Sequence, residues 1–448
     1  MRRYPKYKDS GVEWIGEVPD NWEVIRLGDL GVFSSSGIDK KLDENEERVR
    51  MVNYTDIIQN RKYLDIQDSK KDYMVVTTPL SKLLEHRLKK GDLVFIPSSE
   101  TQQDLGYSSL IDFEESDIVF SYHIIRFQFK REVYHYFKKY LSNYHLVLNQ
   151  FSIESKGTTR QIIGRNVFRN IKVILPPIQE QQQIVTYLDQ KISIIDQIIF
   201  NSQKKINILK EQRTSTINHI VTKGLNPNVR MKDSGVEWIG EIPEGWEVRP
   251  LKMITDVRPS NVDKHIYPEE IQVDLCNYTD VYKNEFVGLK TPLKQGSCNK
   301  TEYSRFNLKK GDVIITKDSE SPNDIGIPCL IIDDLPNVVC GYHLTLLRPT
   351  DIDGGFLYCV FQTQHIKSYF ETESNGITRY SLGKSSIEST SIVFPPFQEQ
   401  QQIVSYLDQK TKEIDDLIVS EQKRIELMKE YRQSLISEVV TGKIKVTK

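Results

Sequence analysis

The chain has 448 residues, 38% of them hydrophobic and 27% charged, with a formal net charge of −2. That balance excludes a disordered chain and a uniformly basic nucleic-acid binder, so affinity for a phosphate backbone has to come from local patches. The five cysteines (Cys276, Cys298, Cys329, Cys340 and Cys359) have no C-x-x-C spacing, which sets aside zinc and disulfide frameworks and fits a reducing, cytoplasmic setting.

Residues 1–24 carry KDSGVEWIGEVPDNWEV from Lys8 to Val24. Neither a secretory leader nor a membrane span is expected, because the opening lacks an apolar core and no run of about 18 apolar residues occurs anywhere. Residues 25–175 follow as a first insert of mixed α/β pattern, long enough for its own core. The run Leu93–Ile96 after Gly91-Asp92 predicts a strand, Val119–Ile125 predicts another, and Tyr134–Leu148 reads as an aromatic-rich amphipathic helix. Between Lys130 and Lys172 there are nine Lys or Arg against Glu132 and Glu154, a local excess of +7. This patch includes Lys138 and Lys139 and the loop Lys156-Gly157-Thr158-Thr159-Arg160-Gln161. Glycine permits close backbone approach, threonine suits phosphate, and Arg or Gln pairs with base edges, so the loop is a candidate DNA contact.

Residues 176–248 open on Pro176-Pro177 and change period. Apolar residues at Ile184, Leu188, Ile192, Ile195, Ile199, Ile206, Leu209, Ile217 and Ile220 step by about three and four, which predicts a helix over about 178–222 with Gly224 as its stop. From Lys232 to Val248 the chain then repeats KDSGVEWIGEIPEGWEV, identical to the first copy at 14 of 17 positions.

Residues 249–394 form a second insert, in which Val313–Thr316 repeats the Gly-Asp-strand pattern and Gly376, Thr378, Arg379 and Tyr380 repeat the loop. Its surroundings are not basic, since Thr350–Ser391 nets −2. Positive charge would come from Lys309, Lys310 and Lys317, or from a partner. Residues 395–448 begin with Pro395-Pro396 and predict a second long helix over about 397–441, with Gly442 as its stop. PPIQEQQQIVTYLDQK and PPFQEQQQIVSYLDQK agree at 14 of 16 positions.

The chain is therefore a tandem duplication in which a frame is kept and an insert diverges. A frame kept twice suits docking to one thing twice, and divergent inserts suit contact with two different things. Each helix, about 40 residues and roughly 60 Å long, must bury its stripe, either antiparallel on the other copy or along another protein. The repeat also predicts that the N-terminal segment packs beside the end of the second helix.

Catalytic motifs are decoys. Gly383-Lys384-Ser385 lacks the earlier glycine of a phosphate-binding loop, with Thr378 in its place. Leu175-Pro176-Pro177-Ile178 and Phe394-Pro395-Pro396-Phe397 put Leu and Phe where an adenine methyltransferase needs a polar side chain. His123 and His343, read as lying inside strands, suit structural roles. A coiled-coil adaptor with protein-binding inserts and a self-contained DNA-modifying enzyme are the rival readings.

The duplicated KDSGVEWIGE segments, the LPPIQEQQQIV helix start, the VTKG and VTGK endings at Val221 and Val440, and the Gly-Thr-x-Arg loops resemble, over essentially the whole chain, the specificity subunit of type I restriction-modification systems. The resemblance implies a mixed α/β (α+β) fold: two target recognition domains joined by two long antiparallel helices in a pseudo-two-fold circular arrangement. It implies that each domain reads half of a split double-stranded DNA site and that the helical bar sets the spacing. It also implies two methyltransferase subunits carrying S-adenosylmethionine and a motor-nuclease subunit using ATP and magnesium, with no cofactor and no catalytic residue in this chain. Carried onto this sequence, Gln179, Glu180, Gln181, Gln398, Glu399 and Gln400 would meet the methyltransferase subunits. Ser98, Ser99, Thr101, Lys317 and Ser319 would face DNA with the two loops.

Overall fold

The computed structural model describes residues 3–446. They divide into two compact units. Residues up to Ser202 together with those from Lys423 onward form the first, and Gln203–Gln422 form the second.

In the first unit, five strands line up as Gly31–Ser34, Ile125–Phe129, Leu93–Phe95, Ser108–Ile111 and Asp65–Ile66. All neighbours are antiparallel except the last pair. Leu93, Val94 and Phe95 are all buried, the mark of a central strand covered on both faces. Phe33, Phe95, Phe127, Phe151 and Phe168 pack ring against ring behind it. A second sheet orders Ile118–Phe120, Glu47–Val52 and Met74–Thr78. The insert is closed at its base by Glu23–Arg26 pairing antiparallel with Lys172–Leu175.

The second unit repeats this plan. Its five strands run Thr255–Pro259, Leu344–Pro349, Val313–Thr316, Pro328–Ile331 and Phe286–Val287, and its three-stranded sheet joins Lys294–Cys298, Ile271–Cys276 and Val338–Cys340. Glu247–Pro250 pairs with Ser391–Phe394 at the base. All five cysteines are buried and unbonded, and burial pushes the Cys329 thiol up to about 12.

The long helices span Ile178–Lys223 and Phe397–Val440. In the first unit Ile184, Leu188, Ile192 and Ile195 share a core with Leu435, Ile436, Val439 and Val440. In the second unit Ile217, Ile220 and Val221 share one with Ile403 and Leu407. The pairing is antiparallel, because Lys205 meets Glu421 at 2.8 Å and Arg213 meets Asp415 at 3.2 Å. Both helices stop at a glycine in the left-handed region, Gly224 at φ +76° and Gly442 at φ +75°, where a side chain would be strained.

In the first unit the N-terminal segment lies against that second stop. The Tyr7 hydroxyl donates to the Gly442 carbonyl at 2.9 Å, and Trp22 Nε1 donates to Glu180 at 3.2 Å. In the second unit the corresponding Trp246 Nε1 donates to Glu399 at 2.9 Å, with its ring against Gly224.

Two local expectations are corrected. Val119–Ile125 is not one strand. Ile118–Phe120 belongs to the three-stranded sheet and Ile125–Phe129 to the five-stranded one, with a turn between them where Ile124 N donates to Ser121 O. Tyr134–Leu148 is not one helix. It is a short turn, a helix over Lys138–Leu141 and another over His145–Glu154. The break falls at Ser142-Asn143, whose side chains bond to Ser108 instead of continuing the helix.

Candidate nucleic-acid interface

In the first unit the loop after Lys156 is a small hairpin. Lys156 and Ile162 exchange backbone hydrogen bonds of 3.1 and 2.8 Å, and residues 156–160 are exposed. Gly157 sits at φ +128°, and a β-carbon there would fall 2.1 Å from the Arg160 carbonyl, so the turn demands glycine. Gln161 is turned inward, donating to Gly157 O at 3.0 Å and accepting from Ser155 at 2.7 Å. The arm Gln161–Ile162 pairs with Ser98–Ser99. These serines follow the central strand, so the loop stands at the end of the sheet where that strand exits.

Two further groups reach this end. The turn after Ile118–Phe120 presents Tyr122, 46% exposed, with the His123 ring against it at 3.8 Å between centroids. Burial first, then the positive charge of Arg160, lowers the His123 pKa. Arg165 donates to Ser35 at 2.7 Å. No carboxylate among the described residues pairs with Lys156 or Arg160, which leaves their charges available.

The second unit rebuilds the cluster with different groups. Asn375 and Ser381 exchange backbone bonds of 3.1 and 2.9 Å, Gly376 takes φ +154°, and Ile377 at the tip is 92% exposed. Asp318–Ser319 pairs with Tyr380–Ser381. By register, Asp318 occupies the place of Ser98. Its carboxylate meets His343 Nδ1 at 2.5 Å. Arg379 Nη2 lies 3.1 Å from His343 Nε2 and 3.3 Å from Nδ1. Near-equal distances to both ring nitrogens put the guanidinium over the ring face, a stacked arrangement. His343 is held at φ +71°, a costly backbone for a non-glycine residue. Lys317 adds a charge above the Tyr342 ring at 5.4 Å.

The family model described as type I restriction modification DNA specificity domain matches residues 19–210 and again 243–427. The chain belongs to that specificity family. It is a recognition component of a type I restriction-modification system and not a catalytic one. A putative type I restriction enzyme MjaX specificity subunit of Methanocaldococcus jannaschii is 24% identical, over 96% of both chains. The MjaVIII specificity subunit of the same organism is 27% identical over 65% of this chain and 67% of its own. Among solved structures, a chain from work on complex assembly and conformational transition of the type I R-M system superposes with TM-score 0.67 at 15% identity, covering 95% of this chain and 99% of that one. The HsdS subunit from Thermoanaerobacter tengcongensis gives 0.52 at 16% identity, covering 95% and 98%. No helix of the described residues is long and apolar enough to cross a membrane.

Measured against this specificity fold, the sequence-derived site residues separate into two groups. Lys156, Gly157, Thr158, Thr159, Arg160 and Gln161 gather with Ser98, Ser99 and, on the next turn, exposed Thr101. Gly376, Thr378, Arg379 and Tyr380 gather with Lys317 and with Ser319, which is buried. Lys138 and Lys139 do not join them. Lys138 donates to the Gly91 carbonyl, at the opposite end of the central strand from Ser98. Lys139 is buried against Asp65 at 3.2 Å, so its charge is spent inside the fold. Lys309 and Lys310 likewise precede strand Val313–Thr316 and sit at its far end, leaving Lys317 at the cluster.

The helix starts are corrected in the same way. Gln181 is buried, donating to Pro176 O at 2.7 Å and accepting from Tyr134 N at 2.9 Å. Gln400 does the same with Pro395 O and Asp353 N, both at 2.8 Å. Glu180 is occupied by Tyr4, Asn21 and Trp22, and Glu399 by Trp246. Only Gln179 and Gln398 of the six are exposed. Sequence reasoning placed Asp318 in the loop Lys317–Glu320 expected to face DNA, but missed Tyr122, Tyr342 and His343 as members of the cluster. The Tyr-His pair recurring in both halves was the available signal.

Proposed function

We propose that this chain reads a bipartite double-stranded DNA target, one half-site per unit, and holds two methyltransferase subunits that modify adenine there, with a motor-nuclease subunit completing the complex. The long helices set the spacing between half-sites. The observation that carries this reading is the contrast at the two clusters. The glycine hairpin, its arginine and the Tyr-His pair recur on the same strand end, while the groups around them change from Pro97, Ser98 and Lys156 to Lys317, Asp318 and Asn375. A constant backbone with a changed donor and acceptor set suits recognition of two different base sequences.

The clusters also suit a phosphate-lined duplex electrostatically. Lys156 and Arg160 in one, and Lys317 and Arg379 in the other, stand on exposed loops beside exposed tyrosines. The test is an exchange of residues 25–175 for the first insert of another specificity subunit, followed by mapping of methylated adenines. One half of the target should change and the other stay. Both halves changing together, or neither, would overturn the modular reading.

A further inference from the structure

The ten residues Lys8–Glu17 and Lys232–Glu241 are identical. In each unit they build the same hairpin. Tyr7–Asp9 pairs with Glu17–Pro19, and Met231–Asp233 with Glu241–Pro243. The turn is held from within: Ser10 N donates to Gly16 O at 3.0 Å and Gly11 N to Asp9 Oδ1 at 2.9 Å, with Ser234 and Gly235 repeating both bonds at 3.0 Å. Ile15 and Ile239 anchor the turn in the core, while the preceding Trp14 and Trp238 remain 39% and 52% exposed.

Internal packing does not account for the tryptophans. Trp238 stacks on Tyr369 at 5.9 Å. In the first unit the Tyr369 position is Gln150, aligned through Phe151 and Phe370, which cover Gly106 and Gly326 alike. Gln150 is engaged with the Lys172 backbone at 2.9 and 3.0 Å. The neighbour changed and the tryptophan stayed. The exposed Asp9, Gly11, Glu13, Gly16 and Glu17 stayed with it, as did their second copies. Other exposed positions did change between the copies, as in Phe200 against Val419 on the long helices.

DNA is not what this surface suits. Each turn carries Lys8 or Lys232 against three carboxylates, a net charge of −2 that repels phosphate. Two identical surfaces also cannot serve two different half-sites. A large exposed aromatic ring with an acidic rim is the chemistry of a protein contact in which tryptophan anchors the binding energy. We infer that the two GVEW turns are equivalent docking points for one protein present in two copies, each offering an apolar socket with a basic rim. Under the function proposed above, on which this inference rests, that protein is the methyltransferase subunit.

The test uses the full chain and separately purified methyltransferase subunit. Stoichiometry is read by native mass spectrometry and affinity by titration. Wild type should take up two copies. W14A or W238A should weaken one of the two by roughly tenfold or more, and the double variant should weaken both. E13K and E237K, on exposed carboxylates that no fold contact needs, should weaken the same steps and guard against a tryptophan variant that misfolds. Wild-type uptake of two copies with all these variants unchanged overturns the docking inference alone. Failure of wild type to bind the subunit at all overturns the proposed function instead.

Discussion

Removing the Asp318 carboxylate should blur one half of the DNA target and spare the other. In the second unit Asp318 holds the His343 ring at 2.5 Å, and the ring face carries the Arg379 guanidinium at 3.1 and 3.3 Å. The carboxylate contact is worth about 1.5–3 kcal/mol and the stacked guanidinium about 0.5–2 kcal/mol. Arg379 itself, if it pairs with a base edge, supplies about 1–3 kcal/mol of discrimination. Arg379→Ala should therefore cost roughly 5- to 150-fold in selectivity at the second half-site. Asp318→Ala keeps the arginine but frees its platform, and should cost about tenfold. Overall DNA affinity should not fall, because the variant gains one unit of positive charge. The first half-site should not respond, since Ser98 stands where Asp318 does. The assay is adenine methylation by the reconstituted complex on duplexes with single-base substitutions in each half. If Arg379→Ala collapses selectivity while Asp318→Ala and His343→Ala leave it intact, the platform argument is wrong. A double variant no worse than Arg379→Ala would support it, because coupled residues do not add.

Two stability predictions follow from buried polar groups. Gln400→Ala leaves Pro395 O and Asp353 N without the partners they have at 2.8 Å; at about 1–3 kcal/mol per orphaned group, urea unfolding should register a loss of about 2–6 kcal/mol. His365 is pushed by burial from 6.5 down to about 4, so the fold disfavours its protonation. The second unit should keep its full stability above pH 6.5 and lose it progressively as pH falls toward 4. The loss should reach about 2 kcal/mol at pH 5, somewhat less for the exposed part of the ring. His365→Gln should flatten that acid limb, and an unchanged slope would refute the assignment.

The duplication, the two long helices and their glycine stops were legible in the sequence because each is a local or periodic signal. Ile178–Lys223 begins just after Pro176-Pro177 and ends before Gly224, as period and punctuation dictate. Charge counting failed at Lys138 and Lys139. A run of charges says nothing about which side of a helix meets Asp65. Glutamine at a helix start looked available for a partner, yet Gln181 and Gln400 are buried because the preceding proline carbonyls need a donor there.

By itself, the sequence determined the two-fold repetition, the helical frame and the glycine loops with their arginines, since backbone sterics and hydrophobic period are carried by neighbours along the chain. Only the tertiary structure decided that Ser98 and Asp318, the Tyr-His turns and the hairpins meet at one end of each sheet. Strand order joins residues tens of positions apart, and no local pattern encodes which strand end lies beside which loop.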